Sequence, residues 1–374
     1  MLKQEKRSPS SQRLLAIVGP LPPPYGGMAL QCIALRDNLS RENLAAVIVP
    51  TNPPLHFDLA MLKGIRTFLQ TLIYLGRLVR IVPQVSVVHI LAASYFYFFA
   101  RVVPAVIMAR ILGRRVILNY RGGEAFRFLA KYGWLALPVL RLASLITVPS
   151  RYLERCFLEQ GLVCAIVPNP IDLQRFKFRN REQLRPRLLV TRNLEPMYNV
   201  QMALEAFAIV KRTYQDCRID IVGTGSEESK LKTWVKNNGL DSVFFHGAVR
   251  SDEMPNYLDK TDILLNPTNV DNLPMSLIEA FASGVPVVST QVGGIPDLVG
   301  EETALLVKAG DYREMANKIV DLLEHPHLAR KLIMSGRKLS ENFSWDRIRE
   351  KLLTIYFPTD ATPPVARVVE GREA

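Results

Sequence analysis

The sequence predicts an α/β protein with two doubly wound parallel sheets, one in each half of the chain. The length of 374 residues suits two domains, each large enough for its own core. Strand-like apolar runs alternate with helix-like segments in both halves, which is typical of parallel sheets with helices between the strands. A charged stretch at 174–186 separates the two series, and we predict that it is a linker.

The first series begins with a buried strand at 14–19, a proline-rich loop and a helix from about Met28. Gly26 and Gly27 lie between that strand and that helix. Glycines there let a backbone approach an anion, which the helix N-terminus favours. A simple turn in a proline-rich loop is the alternative. The remaining strands of this half are predicted near 46–50, 85–91, 115–120, 144–148 and 163–167.

The second series follows the same alternation after the charged stretch. Its predicted strands lie near 187–192, 218–223, 242–246, 262–266, 286–289 and 304–307. Its predicted helices lie near 199–212, 226–237, 273–283, 311–324 and 327–340, with a last amphipathic pattern at about 345–356. The tail from Pro358 is polar and proline-rich, so we expect it to be disordered.

The acidic turn near residue 271 is the strongest functional signal in the chain. Asp271 and Glu279 lie eight positions apart, and Glu279 is predicted to open an apolar helix. A strand and the glycine turn Gly293-Gly294 follow. This order places both carboxylates at the carboxyl end of a parallel sheet, where open α/β folds bind ligands. Two acids beside an anion site at a helix N-terminus suit a nucleotide-sugar.

The segment 271–294 resembles the signature of the retaining glycosyltransferases of family 4, which have the GT-B fold. That signature is E-x(7)-E, a small-residue helix, G-x-P-V-V and a V-G-G turn. Asp271 stands in the place of the first glutamate. The other matching positions are Glu279, Gly284, Pro286, Val287, Val288 and Val292-Gly293-Gly294. The resemblance covers nearly the whole chain, with the tight match confined to 187–300.

The resemblance implies two Rossmann-like domains facing a central cleft that takes a nucleotide-diphosphate sugar as co-substrate. Arg192 would hold the diphosphate, Glu279 the ribose and Asp271 the sugar hydroxyls, so these are the candidate catalytic residues. Stabilising the leaving diphosphate is the main task of such a site. The candidate donor-binding residues are Gly26, Gly27, Asn272, Leu273, Ser276, Leu277, Gly223 and Val249. A tight strand–helix turn is an equally good interpretation of Gly223.

The predicted domains are an acceptor-side domain at 1–173 and a donor-side domain at 174–344. A helix at 345–357 is expected to cross back to the first domain, as it does in the family resembled. The tail at 358–374 completes the chain.

Two positions depart from the family pattern. The family has a lysine five or six residues after the arginine, where this chain has Met197 and Tyr198. Many relatives have a histidine where this chain has Arg121. Arg121 or Arg250 could supply the missing cation, and Arg121 or Glu124 could orient the acceptor or brace the donor. A helix cap and surface charge are the alternative for Glu124.

The positive charge of the chain lies in its first half. Residues 1–173 carry 20 Lys and Arg against 8 Asp and Glu, whereas the remainder has 27 of each. Residues 61–82 read as one basic amphipathic helix, which indicates an anionic membrane surface as a partner. The alternative is a helix that packs on the sheet with Arg66, Arg77 and Arg80 in water. No nucleic-acid motif is visible, so nucleic acid is not expected as a partner.

The remaining features indicate a cytoplasmic protein, with the inner face of a membrane as a peripheral location. No segment reads as a signal peptide or as a membrane span. The four cysteines, at 32, 156, 164 and 217, lack metal-ligand spacing and are predicted to be reduced core residues. We expect neither a metal nor a cofactor.

The leading hypothesis is a retaining, metal-independent hexosyltransferase. It would move a sugar from a nucleotide-diphosphate sugar to a glycan or polyprenyl-linked acceptor, in bacterial cell-surface or exopolysaccharide synthesis. The alternative is a non-catalytic GT-B protein that binds a nucleotide-sugar or scaffolds a polysaccharide complex. A sugar-nucleotide epimerase shares the fold, but no acid–base pair is seen near the sugar site.

Overall fold

The computed structural model describes residues 14–23, 26–55 and 63–358. The predicted disorder of the tail lies outside these residues from position 359 onward, as do positions 61 and 62 of the predicted basic helix and part of the proline-rich loop.

Twelve strands are present among the described residues, close to the predicted positions. Those of the first sheet are β1 Leu15–Gly19, β2 Ala46–Pro50, β3 Val87–Ala92, β4 Arg115–Tyr120, β5 Leu145–Val148 and β6 Cys164–Ile166. Those of the second sheet are β7 Arg187–Thr191, β8 Arg218–Val222, β9 Val243–Gly247, β10 Ile263–Asn266, β11 Val287–Thr290 and β12 Leu305–Val307.

Helices fill the connections between the strands. Those among the strands of the first sheet are α1 Gly27–Arg41, α2 Lys63–Ile81, α3 Tyr95–Tyr97, α4 Val103–Ile111, α5 Ala125–Arg141 and α6 Arg151–Leu158. The later ones are α7 Val200–Thr213, α8 Glu228–Asn237, α9 Met254–Lys260, α10 Met275–Ala282, α11 Ile295–Leu298, α12 Tyr312–Glu324, α13 Pro326–Glu341 and α14 Trp345–Tyr356. A π-helical segment, Phe98–Val102, joins α3 to α4.

Two short helices, α9 and α11, are absent from the sequence-based prediction. Each has a proline in its first turn, Pro255 and Pro296. Proline suits that position because its fixed φ is helical and its missing N–H would have no partner there. That signal could have revealed both helices.

The chain divides into two compact units, and neither is a continuous length of chain. Unit 1 comprises 1–148, 157–165 and 352–374, and unit 2 comprises 149–156 and 166–351. This division differs from a single boundary at 173, because the segments on either side of α6 alternate between the units.

Each unit contains one parallel sheet of six strands. The order is β2-β1-β3-β4-β5-β6 in unit 1 and β12-β11-β10-β7-β8-β9 in unit 2. In unit 2 the strand order reverses between β7 and β10, which are neighbours. The carboxyl ends of such a pair form the crevice where doubly wound folds bind ligands.

Alternate residues of the strands in unit 2 enter different parts of the core. Leu188 and Val190 pack with α7 and α12 residues in one cluster. Leu189, between them, packs with α10 residues in another. This is the alternation expected of a strand covered by helices on both faces.

The predicted linker at 174–186 is instead folded onto unit 2. Phe176, Arg181 and Leu184 are buried. The Arg181 guanidinium donates to the carbonyls of Thr261, Ser283, Gly284 and Leu258 and to the Asp262 carboxylate, at 2.6–3.2 Å. The linker prediction was therefore wrong. Its charges pointed to solvent exposure, but one of them satisfies several buried acceptors at once.

The buried His89 of β3 forms a hydrogen bond with the last helix, α14. A hydrogen bond of 2.9 Å joins its Nδ1 to the hydroxyl of Tyr356 in α14. Burial, with the nearby Arg121 charge, lowers the pKa of His89 to about 3. The imidazole is therefore neutral at physiological pH and acts as a structural group.

Replacing Arg181 by Met should destabilise unit 2 by about 3 kcal/mol, because several buried carbonyls lose their donor while the apolar stem is kept. We expect the melting temperature to fall by roughly 6–12 °C in thermal unfolding. Arg330→Ala is the control, since that arginine is exposed on α13. Equal melting temperatures for both variants would contradict the role given to Arg181.

Acidification should destabilise unit 1 through His89. The pKa of His89 is lower in the folded chain than in the unfolded chain. Below about pH 6.5 the imidazole therefore binds a proton in the unfolded chain but stays neutral in the folded chain. About 2 kcal/mol should be lost between pH 7 and pH 5. Melting temperatures measured over this range should fall less steeply in His89→Gln than in the unaltered chain. Parallel curves for the two proteins would contradict this assignment.

Candidate functional site

Arg192 and Asn266 meet at the point where the strand order of unit 2 reverses. Arg192 follows the last residue of β7, and Asn266 ends the neighbouring β10. The Arg192 Nε donates to the Asn266 side-chain oxygen at 2.7 Å. The predicted diphosphate arginine is thus at the carboxyl edge of the sheet, as expected.

The Arg192 guanidinium also faces Asp271. Its Nη2 lies 2.7 Å from an Asp271 carboxylate oxygen, with the distance of an ion pair but without the alignment of a hydrogen bond. Both side chains are mostly buried, with 12% and 13% of their surface exposed. Two of the three predicted catalytic residues are therefore in direct contact.

Tyr198 occupies part of the place where the family has a lysine, and it supports Arg192. The guanidinium lies over the Tyr198 ring, 5.3 Å from its centre. Burial raises the pKa of Tyr198 despite the nearby Arg192 charge, so the hydroxyl stays neutral. Tyr198 therefore acts as a cation–π partner of Arg192.

The acidic turn is held by the backbone of the glycine turn. The Gly294 N–H donates to the Asp271 carbonyl at 3.0 Å. A Cβ on Gly293 would lie 1.8 Å from that carbonyl oxygen, and one on Gly294 would lie 2.1 Å from the Asn272 oxygen. Gly293 also has φ +56°, a conformation that favours glycine. Only glycine fits at either position.

Asn272 is anchored by a residue that the sequence did not single out. The Ser150 hydroxyl, before α6, donates to the Asn272 side-chain oxygen and accepts from the Leu153 N–H at 3.3 Å. The Asn272 N–H donates to Asp271 at 2.7 Å. The N–H of this predicted donor-binding residue is therefore engaged by the neighbouring carboxylate in this structure.

Glu279 lies in the second turn of α10 and does not open the helix, which corrects the sequence-based placement. Its carboxylate has no hydrogen-bond partner within 14–23, 26–55 and 63–358. Burial raises the pKa of Glu279 to about 7, and the charges of Arg175 and Arg192 act in the opposite direction. The group combines desolvation with an unused hydrogen-bonding capacity, which is typical of functional carboxylates.

Arg175 is a charged residue near Glu279 that sequence reasoning did not single out. Its guanidinium donates to the Ser251 carbonyl and to the Ser251 hydroxyl, the latter at 3.1 Å. Its charge also acts on Glu279. It belongs to the stretch interpreted as a linker, so no local signal could have related it to a carboxylate about a hundred positions later.

The start of α10 contributes one polar side chain and two apolar ones. The Ser276 hydroxyl oxygen is buried and has no hydrogen-bond partner in the described part of the chain. Leu277 is fully buried, and Leu273 packs against the same core. The side chains of Leu273 and Leu277 thus stabilise the fold. Only their backbone groups remain candidates for contact with a donor.

Gly223 lies in a turn that packs closely against the backbone of Arg192. A Cβ there would lie 2.0 Å from the Arg192 carbonyl oxygen, and φ is +141°. This favours the tight-turn interpretation. Val249 packs against the core, while the exposed Arg250 pairs with Asp252 at 2.9 Å. Arg250 is therefore engaged locally in this structure.

The predicted residues of the first half lie in unit 1. Gly26 and Gly27 stand at the start of α1, where an added Cβ would meet no atom within 4 Å. The Arg121 Nε donates to Asn119 at 2.6 Å, and burial lowers the pKa of Arg121 to about 10. Glu124 precedes α5 and pairs with Arg127 at 3.3 Å, without a side-chain cap bond.

The structure shows the environment of the four cysteines and the arrangement of the side chains that could bind a metal. All four cysteines are buried and free, which confirms the prediction of reduced core residues. Within the described ranges, no group of three or more His, Cys, Asp or Glu is arranged to hold a metal ion.

The glycines of the two turns should respond differently to substitution. We expect Gly293→Ala to destabilise the fold by about 2 kcal/mol or more, because it is strained in φ and meets the Asp271 carbonyl. Gly27→Ala should leave stability unchanged or raise it by roughly 0.5–1 kcal/mol, since it lies in open space on a helix. Thermal unfolding of both variants measures this. A stable Gly293→Ala protein would contradict the packing described here.

The comparisons with known proteins agree with this architecture. Residues 172–339 match the family model described as glycosyl transferases group 1. The sulfoquinovosyl transferase SQD2 of Arabidopsis thaliana is 26% identical over 272 residues, which cover 66% of this chain and 52% of that protein. The match thus spans about half the length of that relative.

Two further relatives extend the comparison. A GDP-mannose-dependent α-(1-6)-phosphatidylinositol monomannoside mannosyltransferase of Mycolicibacterium smegmatis is 27% identical over 270 residues, covering 64% of this chain and 69% of that protein. Anabaena HepE, solved in complex with UDP-glucose, superposes with a TM-score of 0.72 at 17% identity, covering 91% of this chain and 98% of HepE. The fold is therefore the predicted GT-B fold of two Rossmann-like units, and residues 172–339, within the second unit, match the group 1 glycosyltransferases, with which family 4 is consistent.

Proposed function

We propose that this protein is a glycosyltransferase that moves a hexose-type sugar from a nucleotide-diphosphate sugar to an acceptor. One observation carries the proposal: a guanidinium at the carboxyl edge of the unit 2 sheet contacts one carboxylate and acts electrostatically on a second carboxylate, whose pKa is raised. The fold alone would not support an activity, because one fold serves many functions. The site residues give the chemical reason.

Arg192 is the group proposed to bind the donor diphosphate. Its guanidinium is oriented by Asn266 and Tyr198, so little side-chain freedom remains to be lost on binding. A fixed cation stabilises the negative charge that develops on a leaving diphosphate. The N-terminal end of α10, with the unpartnered Ser276 hydroxyl, supplies further donors beside it.

The two carboxylates are proposed to hold the two sugars of the donor. Asp271 would accept from hydroxyls of the transferred hexose, while Glu279 would accept from the ribose diol. No side chain of unit 2 is an evident nucleophile. In line with the family resemblance, we propose retention of anomeric configuration, without a metal ion, with the leaving phosphate taking the proton of the acceptor hydroxyl.

Gly26 and Gly27 are proposed as a second contact with the donor phosphates. Packing does not explain them, since neither has a positive φ and each faces open space. Gly223, Gly293 and Gly294 differ, because the fold itself requires them. A glycine that the chain does not need for packing is suited to a close approach by a ligand.

The acceptor is proposed to be a glycan or a polyprenyl-linked saccharide, in the synthesis of a bacterial cell-surface or exported polysaccharide. The mycobacterial relative acts on a phosphatidylinositol monomannoside, according to its name. That relative supports an acceptor that combines a sugar with a lipid.

A non-catalytic sugar-nucleotide-binding protein is the second candidate. The observation in its favour is Tyr198, which lies where the family has a cationic lysine. Such a protein would bind a donor but would not release the nucleoside diphosphate. Turnover therefore separates the two candidates.

The test begins with a screen of UDP-, GDP- and ADP-sugars by thermal shift, since a bound donor raises the melting temperature. The stabilising donor is then incubated with lipid-linked and free glycans, and release of the nucleoside diphosphate is followed. We expect release in the unaltered protein and a loss of roughly 10²–10³-fold in Arg192→Ala and Asp271→Ala. Arg330→Ala should retain full activity. Binding without release would favour the second candidate, and the absence of binding would contradict both.

Donor binding should strengthen as the pH rises through about 7. The Glu279 carboxyl, whose pKa is raised to about 7, must ionise to accept strongly from the ribose diol. Affinity for the stabilising sugar nucleotide, measured by calorimetry between pH 6 and pH 8, should rise about tenfold at most. Glu279→Gln should bind with less dependence on pH. The same slope in both proteins would contradict the proposed role.

A further inference from the structure

The outward face of α2 is apolar, whereas the outward face of a helix on a soluble domain is normally polar. Ile65, Phe68, Leu72 and Val79 lie along one side of this helix, and 38–62% of the surface of each exposed apolar side chain of α2 is accessible. Their spacing of three, four and seven residues keeps them on one stripe.

The inward face of α2 has its own buried side chains, so the exposed apolar side chains on the outward face are not needed for the core of unit 1. Tyr74 and Leu78 are fully buried. The Tyr74 hydroxyl donates to the Arg101 carbonyl at 2.5 Å, and the Arg101 guanidinium donates to the Thr71 hydroxyl at 2.7 Å. The orientation of the helix is therefore fixed, with the apolar stripe on its outer side.

Helices α4 and α5 also expose apolar side chains. On α4, Ile107 and Ile111 are exposed, and Ile111 has 79% of its surface accessible. On α5, Trp134 and Leu135 are exposed, and Trp134 has 74% of its surface accessible. Exposed tryptophan is uncommon in soluble proteins but is enriched where proteins meet the membrane interface.

The three helices form one continuous surface, which we call the three-helix face. They are the connections that lead from β2 to β3, from β3 to β4 and from β4 to β5, all toward the same edge of the sheet. Right-handed crossovers in one direction lie on one side of a parallel sheet. In agreement, α4 packs against both α2 and α5.

The charge of the three-helix face has a single sign. Neither α2, α4 nor α5 contains an Asp or Glu. Its exposed basic residues are Arg66, Arg80, Arg110, Arg127, Lys131 and Arg141. Apolar side chains mixed with cations match a surface that is anionic at its edge and apolar beneath.

We propose that the three-helix face binds the interface of an anionic lipid bilayer, with Phe68, Ile111 and Trp134 inserted among the headgroups. A second copy of the chain fits less well, because two faces of the same positive charge would repel. Nucleic acid would leave the protruding apolar side chains without a partner. No helix in the described part of the chain is long and apolar enough to cross a membrane, so the proposal concerns attachment at the surface.

The test is flotation of the full chain with vesicles of phosphatidylcholine containing about one-third phosphatidylglycerol, compared with phosphatidylcholine alone. We expect binding to the anionic vesicles that weakens as salt is added. Phe68→Ser combined with Trp134→Ser should lower the partition at least about tenfold. Arg110→Gln and Lys131→Gln should each lower it roughly fivefold.

Matched controls lie on α13 in unit 2, where Met334 has 52% of its surface accessible. Met334→Ser and Lys331→Gln should leave vesicle binding unchanged. In a Trp234→Phe, Trp345→Phe protein, only Trp134 remains of the three tryptophans. Its emission should shift to the blue with anionic vesicles and be quenched by brominated acyl chains.

Binding that is absent, or equal in the face variants and the α13 controls, would overturn the proposal. So would light scattering that shows a dimer dissociated by the face variants without vesicle binding, since a second copy would then cover the face. The assay contains no sugar donor, so its failure would leave the proposed sugar transfer untouched.

Discussion

The close contact between two turns of unit 2 determines where the catalytic candidates lie. The glycine turn after β11 packs directly on the carbonyls of Asp271 and Asn272, at a separation that no side chain tolerates. The Asp271 carboxylate is thereby fixed beside Arg192. The length of the signature has a physical reason: α10 and β11 must lie between the two turns for the turns to meet.

Arg192 has several partners within unit 2, whereas the Glu279 carboxylate has no hydrogen-bond partner among the described residues. Arg192 contacts Asn266, Asp271 and the Tyr198 ring, although its buried Nη2 makes no aligned hydrogen bond. Glu279 is desolvated and has no hydrogen-bond partner among the described residues, which is why its pKa is raised. Preorganised cations and underused acceptors of this kind favour a ligand that brings both negative charge and hydroxyl groups.

Much of the fold could be predicted from the sequence, because apolar strands and the alternation with helices are local patterns. The predicted strands agree with the structure to within about two residues, and the 271–294 motif identified the acidic turn. The predictions that failed depend on distant contacts. The charges at 174–186 indicated a linker, yet Arg181 binds carbonyls from two later segments, the end of α9 and the residues after α10. Glu279 was predicted to open the apolar helix, yet α10 begins at Met275, close to the predicted bound at 273, and Glu279 lies in its second turn.

Arg175 and Ser150 could not be predicted as neighbours of the site for the same reason, because their contacts are distant in sequence. Arg175 contacts Ser251, 76 positions away, and Ser150 contacts Asn272, 122 positions away, and neither residue belongs to a motif. The identity of the residue that replaces the lysine was visible, but its packing under Arg192 was not. Side-chain pairing across the chain is set by tertiary structure, whereas the elements are set by nearby residues.

The alternation of the chain between its units has a practical consequence for dissection by cloning. A fragment that starts after residue 173 would omit 149–156, and with it the Ser150 hydroxyl that holds Asn272. A fragment that stops before 352 would remove Tyr356 and leave a buried imidazole without its bond. Two halves expressed separately would thus each lack a short segment that lies elsewhere in the chain. A circularly permuted chain, which joins the segments of one unit, would be the better way to isolate that unit.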